Sequence, residues 1–313
     1  MINEKIQKDV VLAPFTTFKI GGPARFLVEV KTREDLAEAV KWARDKEQPT
    51  YYLGGGSNLL ITDEGFPGLV IRLANREAII KGDRLYCGAG ASLAYCISLS
   101  RGANLSGLEW GFGIPLATIG GSVRGNAGAF GASIGEIVET VEYFNVKKEK
   151  FEFLSRNDCD FDYRNSIFKK NLDMVVWNIV LRLKPATAEE ISANIESNLT
   201  HRDKGQPKLP SAGSVFKNLF LNDILQVNPS LIEFINEQGV AKGGKIGAGY
   251  FIDLRGLKGK TIGGAKISLE HANFIVNTGR ATAKDVLELI EFVKKEIELR
   301  FKIKLEEEIV ILK

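Results

Sequence analysis

The chain has 313 residues, 44% of them apolar and 26% charged, with a net charge of +3. That balance excludes a disordered or fibrous protein and allows two or three hydrophobic cores. The small net charge gives no reason to expect a nucleic-acid partner, but leaves room for a local basic site for an anionic ligand.

In chain order, residues 1–5 are polar and lack the apolar core of a signal peptide, and no apolar run is long enough to span a bilayer. Cys87, Cys96 and Cys159 are odd in number and lack metal-type spacing, and Cys96 reads as a small core residue. A reducing cytoplasm, a monomer and no metal are expected. Residues 26–30 read as a strand, followed by a capping box at Thr32 and Asp35 and a helical stripe of Leu36, Ala39, Val40 and Ala43. A short strand at 51–53 runs into Gly54, Gly55, Gly56, Ser57 and Asn58, and 70–73 is extended again. From about 81 to 184 the chain turns to short strands and dense glycine, with a Gly/Ala-rich passage at 102–135 and a β-branched strand at 175–183. Pro185 and a helix opened by Thr187 read as the link to another domain. There a strand at 273–276 precedes a helix capped by Thr282 and Asp285, striped by Val286, Ile290, Val293 and Ile297, and residues 303–312 read as a terminal strand.

Two familiar nucleotide motifs fail. The segment Gly259-Lys260-Thr261 ends like a P-loop, but Leu254 stands where its first glycine belongs. Gly88-Ala89-Gly90 and Gly247-Ala248-Gly249 each lack the third glycine of the dinucleotide fingerprint. The loop from Gly54 to Asn58 is different: three glycines bring bare amides close to an anion, and Ser57 and Asn58 add donors. A second glycine system contains Gly113-Ile114-Pro115, Thr118, Gly120-Gly121 and Asn126-Ala127-Gly128. Tight packing of small residues would account for Gly120 and Gly121 equally well. Two such systems suggest one extended ligand gripped at both ends. With only His201 and His271 available, both read as structural, the chemistry must come from a cofactor or from carboxylate, Ser, Tyr, Lys or Arg side chains.

These residues, with Tyr163-Arg164-Asn165-Ser166, Ala212-Gly213-Ser214-Val215-Phe216-Lys217-Asn218, Ile262-Gly263-Gly264 and His271-Ala272-Asn273-Phe274, make a pattern over nearly the whole length. It resembles the UDP-N-acetylenolpyruvoylglucosamine reductases of bacterial cell-wall synthesis, in particular their type II subclass. The resemblance implies an α+β fold: a two-lobed FAD-binding domain of the vanillyl-alcohol-oxidase kind (lobes 1–80 and 81–186), an α/β substrate-binding domain at 187–300, and a C-terminal strand at 301–313 returning to the active site. It implies noncovalent FAD, since neither His nor Cys lies in the glycine loops. It also implies NADPH as co-substrate and UDP-N-acetylglucosamine enolpyruvate as the molecule reduced.

By the same resemblance Arg164, Ser214 and Glu308 are the catalytic residues, and Tyr163, Lys217 and Asn218 hold the substrate. Arg164 would stabilise an enolate-like intermediate with its fixed donor fork. Ser214 would donate a proton to the carbanion. Glu308 would polarise or orient the substrate's other face. Out of context, Arg164 fits a surface ion pair, Ser214 a turn and Lys217 an exposed lysine equally well, while Glu306 and Glu307 read as solvated. The chain departs from the family in three places: Leu116-Ala117 replaces a glycine and lengthens that loop by one residue, Glu306-Glu307-Glu308 replaces the usual Glu-Pro-Glu, and sequence is added between Asn218 and Gly249, where a lid or a surface elaboration would both fit. An alcohol oxidase on the same fold, and a flavin-binding module without turnover, are the competing readings.

Overall fold

The computed structural model describes residues 2–313. The chain divides into two compact units, each built from non-contiguous segments. The first takes residues up to Val11, then Pro23–Ser57 and Phe66–Asp203; the second takes Leu12–Gly22, Asn58–Gly65 and Lys204–Lys313.

In the first unit a four-stranded sheet runs in the order Gln7–Val11, Pro23–Val30, Phe66–Leu73, Thr50–Leu53. The last three strands are parallel, so the connection from Pro23–Val30 must cross over, and helix Arg33–Asp45 makes that crossing. Thr32 Oγ1 accepts the Asp35 amide at 3.1 Å and Asp35 returns the bond to the Thr32 amide, satisfying two orphan donors at the helix start. Leu36, Ala39, Val40 and Ala43 fall on one face and are buried in one cluster with Val28, Val30, Leu69 and Ile71. A five-stranded antiparallel sheet follows in the order Lys150–Ser155, Val138–Asn145, Met174–Arg182, Arg84–Gly88, Ala78–Lys81. Its core includes Leu85, Val141, Ile179, Leu181 and the fully buried Cys96.

In the second unit the early residues Phe18 and Leu60 join a core with Phe216, Phe251 and the stripe Val286, Ile290, Val293 and Ile297 of helix Ala283–Phe301. Besides its Thr282–Asp285 capping box, this helix has its first amides satisfied by Asp63, whose carboxylate accepts from Ala283 at 2.8 Å and Lys284 at 3.0 Å. Strand Val310–Leu312 pairs in parallel with Leu59–Ile61. The terminal strand expected over 303–312 is regular only over these last three residues. The alternation is real, with Ile303 and Leu305 buried and Lys302 and Lys304 exposed, but pairing there is limited to a single bridge between Glu307 and Phe216. No helix among the described residues is long and apolar enough to cross a membrane.

Candidate functional site

In the first unit the two glycine systems come together. A Cβ on Gly55 would lie 1.5 Å from the Leu116 carbonyl oxygen, and one on Gly54 would lie 2.8 Å from Thr118 Oγ1. The loops therefore pack backbone to backbone, which a larger residue would prevent. Backbone bonds from Leu93 to Ala117 and from Ile119 to Ala91, both 2.9 Å, tie the second loop to the strand-and-helix layer. Thr118 caps the short helix Ile119–Gly125 by accepting the Gly121 amide at 3.3 Å. On the open side a Cβ at Gly125 would meet nothing within 4 Å, and one at Gly121 only the Thr118 hydroxyl. This bare backbone fits the phosphates and flat rings of a dinucleotide such as FAD, which need close approach by amides rather than side chains.

Ala117 turns into the core, while Leu116 is 54% exposed and takes a left-handed φ of 55°. Gly113, at φ 85°, lies against Leu199 and Arg202 of helix Ala188–Gly205.

Asn126 connects this layer to Arg164. Its Oδ1 accepts the Gly135 amide at 3.0 Å and its Nδ2 donates to the Asp162 carbonyl at 2.8 Å. Asp162 and Asn165 exchange backbone bonds of 3.1 and 3.0 Å, closing a tight turn with Tyr163 and Arg164 at its tip. Arg164 holds φ 53°, a conformation that costs a non-glycine residue about 1–2 kcal/mol. Arg164 Nη1 donates to the Gly128 carbonyl at 2.9 Å, and Lys169 Nζ donates to the Arg164 carbonyl at 2.9 Å. The structure thus brings Tyr163, Arg164, Asn126 and Gly128 together.

The second unit gathers Ser214, Lys217, Glu308 and Asn58. Gly213, at φ 80°, turns the chain into a short extended run lying between two others. On one side Ser214 bridges Phe274, and the Val215 amide donates to the Asn273 carbonyl at 2.8 Å. On the other side Glu308 donates its amide to Val215, and Lys217 donates its amide to Glu306 at 2.9 Å. Asn58 Nδ2 donates to the Glu308 carbonyl at 3.1 Å, and the Asn58 carbonyl accepts from Val310 at 3.0 Å. Among the side chains, Lys217 Nζ lies 2.9 Å from Glu306, and this bond holds the Glu306 carboxyl below the usual carboxylate range. Glu307 is not solvated as expected: it is 28% exposed and pairs with Lys294 at 3.0 Å, because the bridge to Phe216 turns it towards helix Ala283–Phe301.

Comparison with known proteins places these two halves. A sequence profile for the C-terminal domain of UDP-N-acetylenolpyruvoylglucosamine reductase matches residues 206–312, and one for an FAD binding domain matches residues 24–150. The reductase of Synechococcus sp. (strain WH7803) is 38% identical, covering 93% of this chain and 88% of the relative. That of Solibacter usitatus is 33% identical over 98% of this chain and 96% of the relative. The crystal structure of the Thermus caldophilus enzyme superposes with a TM-score of 0.78 at 38% identity, covering 97% of this chain and 98% of that one. The chain belongs to the UDP-N-acetylenolpyruvoylglucosamine reductase family. Like other members of this reductase family it is an α+β oxidoreductase that uses FAD.

Two residues of this reductase stand out only in three dimensions. Arg202 donates to the Trp110 carbonyl at 2.8 Å and stacks over the exposed Phe130 ring at 5.3 Å, beside Gly113. Burial lowers its pKa, which marks a cation held out of water next to the glycine layer. It sits at the end of a long helix with no motif around it, so the sequence carries no local signal for it. Asn273 lies inside a motif that carried the resemblance, yet only its contacts show what it holds.

Proposed function

We propose that this reductase, acting on UDP-N-acetylglucosamine enolpyruvate in peptidoglycan synthesis, takes its electrons from NADPH and uses Ser214 as the proton donor that completes UDP-N-acetylmuramate. The observation that carries this reading is the placement of Ser214 and Glu308 on neighbouring extended runs joined through Val215, inside the segment matched by the family's C-terminal profile. Noncovalent FAD, held by Gly54, Gly55, Gly56, Ser57 and Asn58 with Gly113, Ile114, Pro115, Thr118, Gly120, Gly121, Asn126, Ala127 and Gly128, would supply hydride to the methylene carbon of the enolpyruvyl group after accepting it from NADPH.

Hydride addition at that carbon drives negative charge towards the enolpyruvyl carboxylate. Arg164 meets that charge with a guanidinium that is always protonated and whose fork matches a carboxylate. Ser214 gives its proton to the adjacent carbon; a hydroxyl is a weak acid, so it can serve only beside a strongly basic carbon in fixed geometry. Glu308 orients the other face of the substrate. Tyr163, Lys217 and Asn218 hold the nucleotide portion, with Lys217 exchanging the Glu306 carboxylate for diphosphate oxygens. In domain terms, we assign FAD to the lobes 1–80 and 81–186, substrate to 187–300, and to 301–313 the task of presenting Glu308.

The test is the anaerobic visible spectrum of the purified protein, first with NADPH and then with UDP-N-acetylglucosamine enolpyruvate. A flavin band that NADPH bleaches and only the enolpyruvyl substrate restores is the expected result. Failure of NADPH to bleach the band would remove NADPH from the proposal. In Ser214→Ala, bleaching should persist while the return of colour slows by about 100-fold or more; equal loss of both steps would remove Ser214 as the proton donor.

A further inference from the structure

Asn273 is 3% exposed and makes four bonds in one place. Its Oδ1 accepts the Phe216 amide at 2.9 Å, its Nδ2 donates to the Phe216 carbonyl at 2.8 Å, and its own carbonyl accepts the Val215 amide at 2.8 Å. The fourth bond orients Asn273 itself: its backbone amide donates to His271 Nδ1 at 3.2 Å. The run from Ser214 to Lys217 has only isolated bridges, to Phe274 and Glu307, where a regular sheet would provide a ladder. One asparagine side chain therefore replaces a missing ladder rung, satisfying both the N–H and the C=O of residue Phe216 at once.

We propose that Asn273 is a positioning residue that fixes Ser214 and Lys217 for the reaction, and that His271 orients it as a neutral hydrogen-bond acceptor. The inference rests on the roles given above to Ser214 and Lys217. Those residues flank the clamped pair Val215 and Phe216, so a rotation of the Phe216 peptide would move both. The chemistry of His271 agrees with the role. For Nδ1 to accept a bond, the ring must be neutral and carry its proton on Nε2. Burial keeps the ring neutral, with the Lys258 ammonium adding to the effect and the Asp253 carboxylate opposing it. The ring also packs on Phe274, 4.8 Å between centroids, and lies 3.3 Å from where a Cβ on Gly249 would be, so its orientation is fixed from two sides.

The experiment uses the holoenzyme in the two anaerobic half-reactions. Asn273→Ala should bleach with NADPH at the wild-type rate, while re-oxidation by the enolpyruvyl substrate slows about 10- to 100-fold, the scale of a small misplacement of a reacting group. Because this variant deletes a buried bonding group and so puts folding at risk, His271 supplies a second test. His271→Ala should slow re-oxidation, and His271→Asn, whose Oδ1 can take the place of Nδ1, should restore it. A purely structural histidine would lose thermal stability alike in both variants with no rescue of rate. Wild-type re-oxidation in folded Asn273→Ala, or equal rates in the two His271 variants, would overturn the proposal. Ser214→Ala is run alongside: if it too re-oxidises normally, the proton-donor reading itself has failed, and if it alone is slow, only the clamp has.

Discussion

The backbone amide of Glu308 donates to the carbonyl of Val215 at 2.7 Å, one residue beyond Ser214. The position of Glu308 is therefore set by main-chain bonds, to Val215 on one side and from Asn58 at 3.1 Å on the other. One hydrogen bond thus ties the main chain of Glu308 to the residue after Ser214, which suits the proposed reaction, where both side chains need fixed geometry.

Glu308→Gln keeps the size of the side chain and both bonds made by the residue's main chain, so it should still fold. It should keep its flavin and its bleaching by NADPH, and lose about 100-fold in re-oxidation by substrate. Flavin content, a thermal melt and the two half-reactions check this. A folded but flavin-free variant would place Glu308 with the cofactor instead.

Arg164 occupies the tip of a turn held closed by Asp162, Asn165 and Asn126, so the turn should survive changes in its side chain. Arg164→Lys should retain stability and flavin reduction yet lose at least about tenfold in kcat/KM, because a compact ammonium cannot reproduce the planar fork. Arg164→Gly relieves the left-handed φ of 53° but gives up the side-chain bond to the Gly128 carbonyl, so any gain in the backbone is offset, and substrate reduction should be lost more completely. Near-normal turnover in either would contradict the enolate-stabilising role.

Much of this was legible beforehand because the signals are local. Thr32 with Asp35 and Thr282 with Asp285 form reciprocal capping boxes, and both apolar stripes behind them are buried. What was not legible depends on distant partners. That Phe18 and Leu60 pack with helix Ala283–Phe301, or that Asp63 caps it, requires residues more than 200 positions apart to meet. The alternation after Phe301 promised a long strand, but alternation reports burial and not pairing, and the partner run offers only a single bridge. The ion pair of Glu307 is hidden in the same way, because its partner Lys294 lies on another element.

The departure at Leu116 gives a stability prediction. An exposed leucine at φ 55° makes no buried contact that would offset its backbone strain, and its carbonyl, not its side chain, faces Gly55. Leu116→Gly should therefore hold or raise the melting temperature, by the balance of about 1–2 kcal/mol of relieved strain against about 0.5–1 kcal/mol of extra freedom in the unfolded chain. Leu116→Ala keeps the strain and should bring no gain. Flavin content should be unchanged in both. A drop in stability with glycine would mean that the side chain, not the backbone, holds the loop.

The Lys217–Glu306 pair lends itself to a test by pH and by substrate affinity. The lysine bond depresses the carboxyl of Glu306 below its ordinary value of 4.5, so in the folded state its proton is bound only at lower pH. A depressed carboxylate contributes stability that is fully present above pH 4.5 and is lost as pH falls through its folded value. The pair is largely exposed, so this contribution is small, and its effect on binding is the better readout. On the proposed role of Lys217, diphosphate oxygens displace Glu306 from it, so Glu306→Gln should lower KM for the enolpyruvyl substrate by up to about fivefold, the ratio that roughly 1 kcal/mol of surface ion pairing can supply. kcat should not change. Lys217→Ala should raise KM, and adding Glu306→Gln to it should have no further effect, since the competitor then has nothing to occupy. A Glu306→Gln variant with raised KM would show instead that the carboxylate holds Lys217 in place for the substrate.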